Sequence, residues 1–186
     1  MIGDVIKDLN TSLESAIDAL RRELAKVRTG RANLSILDGI KVEYYGTMTP
    51  LGHVASLQVP DPRLIVIKPW EKSLIPEIEK AIRQVPELGV NPTSDGETIK
   101  LPIPPLTQER RKDLVKLVKR MAEDAKIAVR NHRRDANEML KELGKDGDIS
   151  EDDEKQGLKK VQEAVDKATA RIDEILTKKE AEIMEV

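Results

Sequence analysis

The chain has 186 residues, with 32 Lys and Arg residues against 34 Asp and Glu residues, and its formal net charge is −2. Charged residues make up 35% of the sequence, apolar residues 39% and aromatic residues only 2%, which predicts water-facing helices around aliphatic cores rather than disorder. The sequence contains no cysteine, which excludes disulfides, thiolate zinc sites and cysteine nucleophiles.

The sequence shows neither a membrane span nor a secretion signal. The longest unbroken aliphatic run, residues 64–67, is far shorter than the roughly 20 residues that cross a bilayer. The N-terminus lacks the basic segment and following apolar block of a signal peptide. We therefore expect a soluble, cytoplasmic protein with no membrane partner.

The first predicted element is a long helix over residues 2–29. Apolar residues recur there with a spacing of three and four, which is typical of one buried helix face. Gly30 follows at the position where a helix end favours a left-handed residue. The predicted stripe consists of Ile2, Val5, Ile6, Leu9, Leu13, Ala16, Ile17, Leu20, Leu24 and Val27.

The middle of the chain, residues 31–105, predicts a small α+β domain. All ten prolines lie between residues 50 and 105, and a proline costs about 3 kcal/mol inside a helix. Alternation over residues 40–44 predicts a strand that ends in a turn at 45–47. Further strand candidates are residues 53–59, 63–68 and 97–101. Ser73 is the predicted N-cap of a short helix, whose inner face contains Ile78, Ala81, Ile82 and Val85.

Two further long helices follow. One covers residues 107–145 with Thr107 as its predicted N-cap, and the next opens at Ser150, where acidic residues occupy the positive first turn. The predicted stripe of the first is Leu114, Val118, Met121, Ala125, Ala128, Ala136, Met139, Leu140 and Leu143. The stripe of the second is Leu158, Val161, Val165, Ala168, Ile172, Ile175, Leu176 and Ile183.

Three such stripes can bury one another, which predicts a three-helix bundle. We therefore expect an α+β protein in which residues 1–30 and 106–186 form a long antiparallel bundle. Residues 31–105 would form an inserted domain. Two short connections, near residues 30–33 and 102–106, would join the two parts, which suggests a hinge.

The helix over residues 107–145 is basic, with 12 Lys and Arg residues against 7 Asp and Glu residues. Six of its cations follow steps of four and three, with Glu123 interrupting the row. They are Lys112, Lys116, Lys119, Lys126, Arg130 and Arg133. Their spacing from the stripe predicts that this row faces away from the core. At 1.5 Å per residue the helix would be roughly 58 Å long, which suits a run of phosphates.

The arginines favour binding over simple solvation, because a guanidinium group can hold phosphate oxygens in pairs. Arg130, Arg133 and Arg134 cluster near the end of the row. No aromatic residue accompanies them, so we expect recognition of a folded RNA by shape and backbone rather than by base stacking. The alternative is a scaffold bundle whose basic helix is only a solvated face.

Catalytic and metal sites find little support. His53 and His132 are the only histidines, and no nucleotide-binding or nucleophile motif is present. Residues 146–157 resemble the start of a calcium loop, but Glu151 stands at its glycine position and Gly157 at its glutamate position. We predict a protein that is not an enzyme, with no catalytic residue, metal or cofactor, and an RNA hydrolase is disfavoured for the same reasons.

Several short strings, collinear from end to end, resemble the bacterial ribosome recycling factor family. They are RTGRA at 28–32, DG at 38–39, VEYYGT at 42–47, PPLT at 104–107, ERRK at 109–112, AVRN at 128–131, RRDAN at 133–137 and ISED at 149–152. Small departures, Met48 and His53, lie in the inserted domain and leave the arginine strings untouched.

The resemblance implies an L-shaped molecule close in outline to transfer RNA, with a small β/α/β domain on a flexible elbow. It implies a translation factor that, with elongation factor G and GTP, splits post-termination ribosomes into subunits and releases mRNA and tRNA. The bundle would bind ribosomal RNA of the large subunit, and the small domain would meet the elongation factor. We expect a monomer that does not bind DNA.

The resemblance also implies roles for individual residues. The implied RNA contacts are Arg111, Arg130 and Arg133, with Arg28 and Arg31 as further candidates. The implied elbow contains Gly30, Ala32, Pro104 and Pro105.

Overall fold

A computed structural model describes residues 1–185, and their contacts divide the chain into two compact units. Unit 1 contains Met1–Thr29 together with the chain from Gln108 onward, and unit 2 is Gly30–Thr107. The division expected from the sequence, 1–30 with 106–186, differs from these bounds by no more than two residues. No helix in the described part of the chain is long and apolar enough to cross a membrane.

The structure is α+β, as the sequence predicts. In chain order the elements are α1 (Ile2–Ala25), β1 (Lys41–Tyr44), β2 (Thr47–Pro50), α2 (Leu51–Val54), β3 (Ala55–Asp61), β4 (Leu64–Pro69), α3 (Ile75–Arg83), β5 (Thr93–Ser94), β6 (Ile99–Pro102), α4 (Gln108–Lys145) and α5 (Glu151–Met184). Short 3₁₀ turns cover Leu34–Leu37, Lys72–Leu74 and Pro86–Leu88. Unit 1 consists of the three long helices α1, α4 and α5, each of which packs against the other two.

Helix α1 buries the predicted stripe but ends earlier than expected. Its buried residues are Leu9, Leu13, Ile17, Leu20 and Leu24. The prediction that the helix reaches residue 29 is wrong, because bonds from Lys26 N to Glu23 O and from Val27 N to Leu24 O tighten the last turn. Gly30 is left-handed at φ +76°, but it lies beyond this end and does not cap the helix.

The stripe of α4 drifts by one residue from the prediction. Leu114, Val118, Ala125, Ala136 and Leu140 are buried as expected. Met121 and Ala128 are only partly buried, and Met139 is 52% exposed, whereas Ala122 and Val129 lie in the core. Residues spaced seven apart on a straight helix shift by about 20° around its axis, so the series Leu114, Met121 and Ala128 moves away from the core. The next residues along the chain, Ala122 and Val129, are buried instead.

The ends of the helices fix their directions within the bundle. The backbone N–H of Asp153 donates to Ser150 Oγ at 3.1 Å, which confirms Ser150 as the N-cap of α5. A Cβ on Gly157 would lie 3.1 Å from both terminal carbons of Leu140 and 3.6 Å from Ile2, so these helices approach closely there. The starts of α1 and α5 therefore meet beside the end of α4, which runs antiparallel to both.

Unit 2 combines a hairpin with a four-stranded antiparallel sheet. Strands β1 and β2 pair around Tyr45 and Gly46, at φ +48° and +77°, the backbone of a type I′ turn. The strand order of the sheet is β3-β4-β6-β5. Its core is aliphatic and fully buried, with Ile65, Ile67, Ile99 and Leu101 from the sheet and Ile78 and Ile82 from α3.

Three local predictions in unit 2 are wrong. His53 belongs to the short helix α2, so strand β3 begins only at Ala55. Ser73 lies in a 3₁₀ turn, and α3 begins at Ile75 without a side-chain cap. The predicted strand over 97–101 begins at Ile99, because the carboxylate of Asp95 accepts the N–H groups of Glu97 and Thr98 and holds them in a turn.

Both connections to unit 1 are fastened to one turn inside unit 2. Ala32 N donates to Pro62 O at 2.6 Å, and Ile103 N donates to Arg63 O at 2.8 Å. The two connections also touch each other, since a Cβ on Gly30 would lie 2.9 Å from Leu106 Cγ. A glycine suits position 30 for two reasons: its backbone is left-handed, and a larger side chain would collide with Leu106.

Candidate nucleic-acid interface

The basic row on α4 follows the flank of the helix that faces α5. At 3.6 residues per turn its positions lie roughly 100° from the centre of the buried stripe. The prediction that the whole row faces away from the core is therefore wrong, because three of its six cations reach polar groups on α5. The row has an inner side of Lys119, Lys126 and Arg133 and an outer side of Lys112, Lys116 and Arg130.

The inner side is engaged with α5. Lys126 Nζ lies 2.6 Å from Asp173 Oδ1, and its side chain is 25% exposed. Lys119 Nζ lies 3.8 Å from Glu180 Oε1, and Arg133 Nη1 donates to Gln162 Oε1 at 3.5 Å. Carboxylates of α5 thus neutralise part of the basic row, most strongly at Lys126, which has the shortest ion pair.

The outer side is more open. Arg130 Nη2 donates to Glu123 Oε1 at 2.6 Å, and both side chains are about half exposed. Glu123, which interrupts the row in the sequence, is therefore the partner of its most accessible arginine. Lys112 and Lys116 are exposed and have no ion-pair partner among residues 1–185.

Arg111 does not belong to this surface. Its side chain is buried, with the residue 7% exposed, and Nη1 donates to the carbonyl oxygens of Ile183 at 2.9 Å and Glu185 at 2.6 Å. Nη1 of Arg111 thus faces the end of α5, and we do not include Arg111 in the RNA contact proposed below.

Arg120 was not among the predicted contacts, yet it extends the open surface. It is exposed, lies four residues after Lys116, and forms no ion pair within residues 1–185. Positions four apart are neighbours on a helix, so Lys112, Lys116 and Arg120 form one ridge of cations. The predicted row follows steps of four and three and therefore passes over Arg120. A search for cations four residues apart would have included it.

The remaining predicted residues lie elsewhere. Arg134 pairs with Asp135 at 3.8 Å and Glu138 at 3.9 Å on its own helix. Arg28 and Arg31 are both exposed, but Arg28 belongs to unit 1 and Arg31 to unit 2. Among the described residues no group of three or more His, Asp or Glu side chains could hold a metal ion.

Comparisons with known proteins give a consistent result over the full length. A family model described as "Ribosome recycling factor" matches residues 20–184. The chain is 54% identical to a ribosome-recycling factor of Sorangium cellulosum (strain So ce56) over 186 residues, covering 100% of both chains. It is 53% identical to one of Myxococcus xanthus (strain DK1622), again over 100% of both chains.

Two solved structures are similar to the chain. The solution structure of a ribosome recycling factor is 40% identical, with a TM-score of 0.74 over 100% of this chain and 98% of the other. The second is the T. thermophilus ribosome recycling factor, described with the E. coli elongation factor G, both bound to the E. coli post-termination complex. It is 40% identical, with a TM-score of 0.64 over 99% of each chain.

Proposed function

The chain belongs to the ribosome recycling factor family, and we propose that it acts on ribosomes after translation has terminated. With elongation factor G and GTP it splits the post-termination ribosome into subunits and releases mRNA and tRNA. The observation that carries this proposal is the 54% identity to a ribosome-recycling factor over 100% of both chains. The relative described with elongation factor G on a post-termination complex supports both partners.

The outer side of the α4 row, with Arg120 and Arg133, is the proposed contact with large-subunit ribosomal RNA. Exposed ion pairs contribute only about 0–1 kcal/mol, so Arg130 can exchange Glu123 for a phosphate at little cost. Arg133 donates to Gln162 only through a long 3.5 Å bond, so it can also exchange this partner for a phosphate. Lys119 and Lys126 contribute less, since carboxylates of α5 already neutralise them.

The chain acts in this proposal by binding and displacement, in the cytoplasm, and not as an enzyme. Unit 1 anchors on RNA, and unit 2 meets the elongation factor. The proposed elbow lies at residues 26–31 and 104–107, between the long helices and the hydrogen bonds that join Ala32 and Ile103 to the β3–β4 turn. This region includes Gly30, Pro104 and Pro105, while Ala32 marks its edge.

Pelleting with purified subunits and light scattering of post-termination ribosomes test the proposal together. The expected result is salt-sensitive binding to the large subunit, no RNA cleavage, and subunit splitting that requires elongation factor G and GTP. A scaffold bundle would show no selective binding and no splitting. An RNA hydrolase would shorten the RNA, and either result would overturn the proposal.

A further inference from the structure

One face of the four-stranded sheet in unit 2 lies outside the core of that unit. Along β4 the burial alternates, so that Ile67 is fully buried in the core while its neighbours Val66 and Lys68 lie on the other face and are at least partly exposed. Trp70 continues this alternation, because its backbone N–H donates to Val54 O at 3.0 Å and extends the pairing of β3 with β4 by one position. The indole ring therefore lies on the same face as Lys68.

The register of the two neighbouring strands adds three polar side chains to this face. Ser56 lies opposite Lys68, and Gln58 and Lys100 lie on either side of Val66. Neighbouring strands are about 4.8 Å apart, so these side chains form one continuous surface. We call this surface the open sheet face: Ser56, Gln58, Val66, Lys68, Trp70 and Lys100.

The indole ring of the open sheet face is available to a ligand. Trp70 is the only tryptophan of the chain, and it is 68% exposed, whereas the buried core of unit 2 is aliphatic. A ring left in water gains little from the hydrophobic effect. It can still stack on the planar base of a nucleotide, and such stacking tolerates any base because every base has a flat face.

Three lysines lie on the open sheet face or directly beside it. Lys68 is exposed and forms no ion pair within residues 1–185. Lys72 Nζ lies 2.8 Å from Glu97 Oε1, and Lys100 Nζ lies 3.8 Å from Asp95 Oδ2, with all four side chains about half exposed or more. Exposed ion pairs of this kind contribute little to stability, so both lysines can exchange a carboxylate for a phosphate.

This combination favours single-stranded RNA over a protein surface or a duplex. Lysine is depleted in protein interfaces, whereas aromatic rings beside cations are typical of surfaces that bind single strands. A duplex keeps its bases stacked inside, so it cannot present a base to the ring. The side chains of Ser56 and Gln58 make no hydrogen bond within residues 1–185, and both can bond to the 2′-hydroxyl group that distinguishes RNA from DNA.

We propose that the open sheet face binds single-stranded RNA. One base stacks on the indole of Trp70, and Lys68 and Lys100 contact phosphates of the same strand. Ser56 and Gln58 meet its ribose hydroxyl groups. The strand is messenger RNA, which is the unpaired RNA that the reaction proposed above releases. This choice of strand rests on the proposed function, but the RNA site itself does not.

The fluorescence of Trp70 tests the site directly, because the chain has no other tryptophan. The full-length protein is titrated with a single-stranded RNA of about eight nucleotides, a length within the usual site size, and separately with a stable RNA hairpin stem. Lys68→Gln is the test variant. Lys80→Gln is the matched control, because Lys80 is an exposed lysine of α3, the helix that packs on the opposite face of the sheet.

The single strand should quench the fluorescence of Trp70, and the hairpin stem should not. Lys68→Gln should weaken the binding and make the slope of log affinity against log salt shallower by about 0.7, the value for one phosphate contact on a single strand. Lys80→Gln should leave both quantities unchanged. The proposal would be overturned by no quenching with the single strand, by equal quenching with the stem, or by equal effects of the two substitutions.

A second measurement identifies the strand on the ribosome. A photoreactive amino acid at position 70 should crosslink to messenger RNA in post-termination ribosomes, and the same group at position 80 should not. Crosslinks to ribosomal RNA instead would overturn the choice of messenger RNA, and crosslinks only to protein would overturn the RNA site. If the chain binds single-stranded RNA as expected but splits no ribosomes, the proposed function is wrong and the RNA site stands.

Discussion

The guanidinium group of Arg111, in the first turns of α4, donates to the backbone carbonyl oxygen of Ile183 at the end of α5. The distance is 2.9 Å, and the two residues are 72 positions apart in the sequence. The last carbonyl groups of a helix have no partner within the helix, so this side chain satisfies an acceptor that would otherwise be buried and unpaired. A second bond to Glu185 O at 2.6 Å completes a clamp between the two helices.

Arg111→Met should therefore destabilise the bundle by about 2–3 kcal/mol, because it removes the donor that the Arg111 side chain supplies to the buried carbonyl oxygen of Ile183. Urea unfolding measures the loss, and hydrogen exchange should show faster opening of the last turn of α5. Lys112→Met is the control, since Lys112 is exposed and should change stability by no more than about 0.5 kcal/mol. Equal stability of the two variants would contradict the clamp.

Arg130→Ala and Arg133→Ala should each weaken large-subunit binding by roughly tenfold or more. A charge-assisted contact is worth about 1.5–3 kcal/mol, and neither residue is part of the aliphatic core. Circular dichroism should show unchanged helicity, and the dependence of affinity on salt should become shallower. If both variants bind as the unsubstituted chain does, this flank is only a solvated helix face.

Glu123→Gln should strengthen the same binding by about two- to fivefold. The change removes the carboxylate that holds Arg130 at 2.6 Å, and an exposed pair of this kind is worth up to about 1 kcal/mol. Glu151→Gln is a matched control, because Glu151 forms an exposed pair with Lys155 on α5. A loss of affinity in Glu123→Gln would show that the pair positions Arg130 instead of competing with RNA.

Leu114→Ala should cost about 2–5 kcal/mol of unfolding free energy, because a buried side chain leaves a cavity in the bundle. Lys116→Ala, on the exposed outer side of the basic row, should cost no more than about 0.5 kcal/mol. Denaturant titration of both variants checks the register of α4. Similar losses at the two positions would overturn the assignment of the buried and basic faces.

Stability should also decline in acid through the turn at Asp95. Backbone N–H groups of Thr98 and Glu97 lower the pKa of Asp95 from its ordinary value of 3.8 to about 2. The folded-state pKa is the lower one, so the stabilisation is present above pH 4 and is lost as the pH falls toward 2. A carboxyl NMR titration measures the pKa, and Asp95→Asn should flatten the dependence of Tm on pH in this window. A pKa near 3.8 in the folded protein would contradict the turn geometry.

Much of the bundle follows from the sequence because its signals are local. Thr107 directly precedes α4, Ser150 caps α5, and the three-and-four spacing marks one buried face on each helix. The type I′ turn at Tyr45 and Gly46 likewise falls within the predicted turn at 45–47. These features depend on backbone preferences and on the side chains of neighbouring residues, which a single sequence contains.

Only the tertiary structure shows which groups the cationic side chains of α4 contact. Arg111 and Arg130 are both motif arginines of one helix, yet one meets carbonyl groups at the end of α5 and the other an exposed carboxylate. The drift of the buried stripe from Met121 to Ala122 places the inner side of the basic row against α5, where Lys126 finds Asp173. A helical sequence fixes the angle of each side chain around its own axis. Which partner it meets depends on where the other helices pack, and that is set by the combined burial of all three stripes.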